Sequence, residues 1–248
     1  KKYLVIGNPI DHSLSPQLHN YWIKKNNINA EYEKQKLNID DLKGLFFKIK
    51  NKEINGINVT VPYKKEVISY LDKLTFDAEA TQSVNTILLD NDKITGHNTD
   101  ISGFESAIKD TNYNLVGKKI LILGAGGVVP SIIFALYKMK VSNVILSNRT
   151  KEKAEFLKNH FNNIIFDKNK IMVVDWGEIP DFDMVINATS VGLKNKEQLD
   201  LDFSKLDNNK LFYDVIYNPK ETNFLKKARK LGNSTENGKK MFIYQAAK

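Results

Sequence analysis

The chain has 248 residues, 42 % hydrophobic and 27 % charged, enough to bury the core of one large domain or two modest ones. Its net charge of +8 comes from 35 lysines and two arginines set among 29 acids, with no long run of like charge, so it predicts attraction for small anions and no nucleic-acid partner. The absence of cysteine excludes disulfides, thiolate metal sites and thiol nucleophiles and suits a reducing cytoplasm, and no apolar run approaches the length of a membrane span.

Strand and helix patterns alternate along the whole chain, which predicts an α/β fold with mostly parallel sheets. KYLVIG (2–7) reads as a first strand rather than a signal peptide. In the segment 13–25, Ser15 is expected as an N-cap and Pro16 as the first helical residue, with Leu18, Tyr21, Trp22 and Lys25 following at helical spacing. A second strand is expected at 30–35, an acid-led helix at 39–51, and a third strand at 56–61 closed by Pro62. The segments 83–90 and 93–98 read as a hairpin turning at Asn91-Asp92. A helix at 101–111 leads to a strand at 119; further strands are expected at 143–147, 183–187 and 211–216, and helices at 150–161, 220–231 and 238–247.

The central motif is the buried strand ILIL followed by Gly124, Ala125, Gly126 and Gly127, the opening of a dinucleotide-binding unit. Val129 stands where the third glycine of such a turn would be, and Pro130 sits where a helix can accept it, in the first turn. The next strand ends at Asn148, Arg149 and Thr150. At that strand end an acid holds the ribose of NAD, whereas an arginine accommodates the 2′-phosphate of NADP. There is no acid between Gly127 and Glu152, so the expected cofactor is NADP. About a hundred residues of separate α/β pattern precede the turn, which implies a substrate domain followed by a cofactor domain.

Reduction of a carbonyl by a nicotinamide needs a proton donor as well as a hydride. Lys64 follows a strand and a proline turn, and a lysine becomes a better acid when burial disfavours its charge. Asp100 is the carboxylate that would orient it. The plainer readings are a solvated lysine and an N-cap for the helix from 101. Ser13 and Ser15 lie at a helix N-terminus, a natural anion site. Asn58, Thr60 and Asn85 have side chains that bond hydroxyls, although Asn85 also reads as a strand-end turn residue. His12, His19, His97 and His160 form no ligand pattern, so no metal is expected.

Taken together, GNPIDHSLSP (7–16), NVTVPYK (58–64), SVNT (83–86), GHNTDISG (96–103), GAGG (124–127), NRT (148–150), NATSVG (187–192), YNPKET (217–222) and NGKKMFIYQ (237–245) resemble the shikimate dehydrogenase family in order and spacing. The resemblance implies a substrate domain over residues 1–101, with a mixed, mostly parallel sheet, and a Rossmann-type NADP domain over 102–237. It also implies that a C-terminal helix, 238–248, returns to the first domain. It implies reversible reduction of 3-dehydroshikimate to shikimate with NADPH, by a cytoplasmic monomer or homodimer. By position, Lys64 and Asp100 match the family's catalytic pair. Ser13, Ser15, Asn58, Thr60, Asn85, Tyr217 and Gln245 match its substrate contacts. Gly124 to Gly127 match the pyrophosphate turn, Asn148, Arg149 and Thr150 the adenosine phosphate clamp, and Thr189, Ile216, Gly238 and Met241 the nicotinamide side. The VVPS run (128–131) departs from the small residues the family usually places there. Two alternatives stay open: a quinate/shikimate enzyme using NAD or both cofactors, and a non-catalytic NADP-binding regulator.

Overall fold

The computed structural model describes residues 1–164, 170–194, 197–204 and 206–248. The chain folds as two compact units, Lys1–Asp100 with Ala246–Lys248, and Ile101–Gln245.

The first unit is built on a six-stranded mixed sheet. It contains β1 (Lys2–Gly7), β2 (Glu31–Lys36), β3 (Gly56–Val59), β4 (Lys73–Leu74), β5 (Thr86–Asp90) and β6 (Lys93–His97), ordered β2-β1-β3-β5-β6-β4. Both neighbours of β1 run parallel to it, while β5 runs antiparallel to β3 and β6. The β5–β6 hairpin turns at Asn91 and Asp92 with φ of 49° and 60°, the left-handed pair that such a tight turn needs. α1 (Ser15–Lys25) follows β1, α2 (Leu42–Lys50) follows a short 3-10 turn at Ile39–Asp41, and α3 (Phe76–Thr81) precedes β5. Leu42, Leu45, Phe46 and Ile49 of α2 recur at helical spacing and join Leu4, Ile6, Ile57, Val59, Val84 and Ile87 in one core.

One detail differs from the sequence reading. The residue capping α1 is Leu14, and Ser15 is already helical. The N-cap makes no side-chain cap hydrogen bond; the hydroxyl of Ser13 accepts the Ser15 N–H at 3.3 Å, a local turn bond.

α4 (Asp100–Lys109) opens the second unit from its second residue, Ile101. Its six strands are β7 (Lys119–Leu123), β8 (Asn143–Ser147), β9 (Ile171–Val174), β10 (Met184–Asn187), β11 (Leu211–Asp214) and β12 (Ser234–Asn237). They are all parallel, in the order β12-β11-β10-β7-β8-β9. This is the doubly wound order of a dinucleotide-binding fold, with the reversal between β7 and β10. Ile120 to Leu123 and all four residues of β10 are buried, the near-continuous apolar reading that a sheet covered on both faces imposes. α5 (Val129–Lys138) and α6 (Lys151–Ile164) follow β7 and β8; α7 (Asn223–Lys230) and α8 (Lys239–Ala247) follow β11 and β12. Contacts group α8 through Gln245 with this unit, and only Ala246–Lys248 with the first, a later crossing than the expected 238. The reason is local. Gly103 of α4 sits so close to α8 that a Cβ there would be 2.7 Å from the Gln245 Cβ and 3.0 Å from the Met241 carbonyl.

No helix among the described residues is long and apolar enough to cross a membrane.

Candidate active site

In the first unit, β1, β3 and β6 end at one edge of the sheet, where the antiparallel β5 begins. The polar residues singled out in the sequence gather along that edge. The turn after β3 is closed by a Tyr63 N–H to Thr60 carbonyl bond of 3.0 Å, and Tyr63 is anchored by its hydroxyl on the Leu37 carbonyl at 2.6 Å. The next residue, Lys64, is thereby aimed inward. It is 8 % exposed, and its Nζ donates to Asp100 Oδ2 at 2.5 Å. Asp100, 6 % exposed, opens α4; the Asn98 side chain accepts its N–H at 3.1 Å. The carboxylate takes Lys64 on Oδ2 and the Asn85 amide, which donates to Oδ1 at 3.0 Å. Asn85 also accepts the Thr99 N–H at 2.8 Å, so both ends of its side chain are fixed.

A buried ion pair contributes little net stability once desolvation is counted. An amine and a carboxylate paired at the strand edge, both nearly buried, form an arrangement through which a proton can pass.

A second chain of hydrogen bonds runs beside the pair. Tyr32 Oη donates to Asn58 Oδ1 at 2.6 Å, and Asn58 Nδ2 donates to Thr86 Oγ1 at 3.0 Å and to the Asn85 carbonyl at 3.2 Å. Burial raises the Tyr32 pKa, opposed by a hydrogen bond with Ser15. Ser15 is buried and Ser13 half-buried beside it, joined through the Ser15 N–H. Thr60 is half-buried; its methyl lies where a Cβ on Gly7 would be only 2.6 Å away, so β1 and the β3 turn approach as closely as glycine permits. The edge thus carries hydroxyls, amides and one ammonium over a short span, the donor set for a small, polyhydroxylated anion. Tyr32 and its stacking partner His19 (4.1 Å between centroids, 7° between planes) escaped the sequence reading. Burial lowers the His19 pKa to about 4, so the ring is neutral near pH 7. The available signal was a tyrosine alternating inward in β2, which only the register with β1 gives a place.

The second unit has its own cluster, at the carboxyl ends of its strands. Gly124 follows β7 with φ of +110°, and a Cβ there would be 2.9 Å from the Ala188 carbonyl after β10. Only glycine lets the turn pass through that gap. Ala125 and Gly126 continue the turn; a Cβ on Gly126 would meet nothing nearer than 3.9 Å, which leaves space over the turn. Gly127 leads into α5, where Val129 is fully buried and Pro130 lies in the first turn. Val129, where a third glycine would usually stand, is thus accommodated as a buried residue. Asn148 folds the β8 turn by donating to the Thr150 carbonyl at 2.7 Å, and Arg149 is exposed with no carboxylate partner among the described residues. Asp175, at the neighbouring strand end, is occupied by Lys151 at 2.7 Å.

Thr189 and Ile216 follow β10 and β11, and Gly238 follows β12 at the entrance of α8, which carries Met241 and Gln245. Tyr217 stacks on Phe242 of α8 at 4.5 Å. These residues share one unit; Ser13, Ser15, Asn58, Thr60, Lys64, Asn85 and Asp100 share the other. The observed geometry fits a dinucleotide. A glycine turn sits at the switch point, an unpaired guanidinium stands at the second strand end, and no acid stands in its place. No cluster of metal-ligating side chains occurs among the described residues.

Comparison with known proteins gives consistent results. Residues 5–87 match the model of the shikimate dehydrogenase substrate binding domain, and residues 105–221 match that of shikimate / quinate 5-dehydrogenase. A shikimate dehydrogenase (NADP(+)) of Pelagibacter ubique is 55 % identical over 248 residues, covering 100 % of this chain and 91 % of the relative. A shikimate dehydrogenase solved in complex with NADP+ superposes with a TM-score of 0.94 at 35 % identity, over 100 % of this chain and 87 % of that one. A quinate dehydrogenase from Corynebacterium glutamicum, solved with NAD, gives a TM-score of 0.90 at 30 % identity, over 99 % and 90 % of the two chains.

Proposed function

The chain belongs to the shikimate dehydrogenase family, and from that premise we propose that it reversibly reduces 3-dehydroshikimate to shikimate with NADP(H) as cofactor. In this reading the first unit is the substrate domain and the second the cofactor domain. When bound, the cofactor supplies the hydride. The chain's own residues supply the proton and the placement.

Lys64 Nζ donates the proton to the carbonyl oxygen as that oxygen gains charge, and takes it back in the reverse direction. Asp100 holds the amine at 2.5 Å, fixes its direction and balances its charge. Asn85, tied to Asp100 and Thr99, bonds a ring hydroxyl of the substrate. Ser13 and Ser15 receive the substrate carboxylate, and Asn58, Thr60, Tyr217 and Gln245 complete the hydroxyl contacts. Asn58 is a pure acceptor toward a ligand, because both hydrogens of its amide are spent on Thr86 and Asn85. A substrate hydroxyl must therefore donate to it.

For the cofactor, Gly124, Ala125, Gly126 and Gly127 take the pyrophosphate. Asn148, Arg149 and Thr150 take the adenosine phosphate, and Thr189, Ile216, Gly238 and Met241 take the nicotinamide side. The observation that carries the reading is the buried Lys64–Asp100 pair, neither member of which has another counter-ion among the described residues.

The test is an assay over shikimate and quinate with NADP+ and NAD+. Turnover is expected with shikimate and NADP+. Binding of NADP+ without any turnover would instead favour a non-catalytic regulator, and preference for quinate with NAD+ the family's other activity. Arg149→Ala is expected to weaken NADP+ binding about 10- to 100-fold, the loss of a charge-assisted phosphate contact, and to leave NAD+ binding unchanged. Equal losses for both cofactors would remove the guanidinium from the phosphate site.

A further inference from the structure

The carboxylate of Asp214, at the end of β11, is wholly buried and has no cationic partner among the described residues. Three donors converge on it from three places. The Asn187 amide at the end of β10 donates to Oδ1 at 3.1 Å, and the Ile216 N–H donates to the same oxygen at 3.0 Å. The hydroxyl of Thr222, the N-cap of α7, donates to Oδ2 at 2.6 Å. Asn187 in turn accepts the hydroxyl of Thr189 at 2.7 Å and its N–H at 3.1 Å. The loops that follow the two strands meet: a Cβ on Gly192 would lie 3.1 Å from the Thr222 methyl and 3.4 Å from the Ile216 Cδ1.

We infer that Asp214 is a positioning residue for the nicotinamide side of the cofactor site, holding Thr189, through Asn187, in fixed relation to Ile216. The inference rests on the reading of Thr189 and Ile216 as cofactor contacts. A carboxylate suits the place because three donors point at it and an ionised carboxylate is acceptor-only.

Its surroundings also make it titrate in a useful range. Burial pushes its pKa up to about 6, against the downward pull of Thr222, Ile216 and Asn187. Asn187 from β10 and Thr222 from α7 are neutral. From β12, Asn237 lies opposite Asp214, and Glu236 lies opposite Tyr213 and pairs with Lys240 at 3.3 Å. Tyr213, on the same strand, is itself raised, first by burial and then by Glu236 and Asp214. Because the pKa of Asp214 lies above its free value, the proton goes on as pH falls through about 6. One oxygen then becomes a donor, and one of the three converging donors loses its acceptor. The tie is intact above that pH and slack below it.

The experiment measures NADP+ dissociation constants from about pH 5 to about pH 8 for the natural chain, Asp214→Asn and Thr222→Val. The ligand's 2′-phosphate titrates in the same range, but equally for all three proteins, so the ratio between proteins is the readout. Asparagine mimics the protonated carboxyl: its NH2 must face the Thr222 hydroxyl. Asp214→Asn is therefore expected to bind about three- to tenfold more weakly than the natural chain at about pH 8, the ratio closing toward one near pH 5. Thr222→Val removes one donor to the ionised form, so the natural chain's acid loss moves to higher pH. A ratio for Asp214→Asn that stays constant over the whole range overturns the inference and leaves the proposed function standing. A natural chain that binds NADP+ but does not turn over shikimate overturns the proposed reaction instead; one that binds no NADP+ overturns both.

Discussion

Lys64→Ala lowers kcat for 3-dehydroshikimate reduction by about 100- to 10,000-fold, the usual worth of a positioned proton donor. The dissociation constant for NADP+ is expected to stay within about twofold, because Lys64 is none of the proposed dinucleotide contacts. The expectation follows from how the amine is held. It leaves a turn anchored by Tyr63, has one ionic partner at 2.5 Å and is 8 % exposed, so it occupies a single position rather than sweeping through solvent. The same burial brings a structural cost. Removing the amine leaves Asp100 desolvated with Asn85 as the one remaining donor to its carboxylate among the described residues, and stranding a buried charge costs about 3 to 5 kcal/mol. Thermal unfolding must accompany the kinetics, with turnover measured well below the variant's melting temperature. Retention of most turnover by a folded Lys64→Ala chain would take the proton transfer away from this residue.

Gly238→Ala is expected to destabilise the chain by about 4 kcal/mol or more, close to a thousandfold in the folding equilibrium. A Cβ at this position would stand 2.1 Å from the Val215 carbonyl oxygen and 2.5 Å from its carbon. Neither the glycine nor the obstacle can yield cheaply. The Gly238 N–H is bonded to the Ile216 carbonyl at 3.1 Å, and its carbonyl starts α8 by accepting the Phe242 N–H at 2.9 Å. Val215 in turn is fixed by its N–H on the Asn187 carbonyl at 3.0 Å. Gly44 in α2 is the matched control: a Cβ there would meet nothing within 4 Å, so Gly44→Ala is expected to stabilise by about 0.5 to 1 kcal/mol. Urea midpoints read both. Equal, small changes in the two variants would mean that the approach at 238 relaxes freely.

What could be read from the residues depended on where burial lies. β7, β10 and β11 announce themselves as apolar runs because both faces of the sheet are covered there. β12, with the sequence STEN, is an outer strand of that sheet, half-solvated, and shows no such run; β9, the other outer strand, is apolar as IMVV but only four residues long, too short to separate a strand from a helix segment by pattern alone. β4 has two residues and α3 six, too short for any period to emerge. Of the candidate site, Lys64 and Asp100 were legible because glycine, proline and short polar motifs mark the strand ends that carry them. Tyr32 and Asp214 were not. A tyrosine in a strand and an aspartate at a strand end are common, and their roles appear only when the register sets Tyr32 beside Asn58 and Asp214 beside Asn187. Ser15 as a cap follows from its proline neighbour, yet the helix starts one residue earlier, with Leu14 as its N-cap and Ser15 already in the first turn.

Kinetics of Lys64→Ala, Asp100→Asn and the double variant examine the central claim most directly, since two residues that work as one device are not additive. If the amine and the carboxylate form one acid–base unit, the double variant loses about as much kcat as Lys64→Ala alone, because asparagine at 100 has no amine left to misplace. Losses that multiply, each substitution imposing its full factor in the presence of the other, would contradict it.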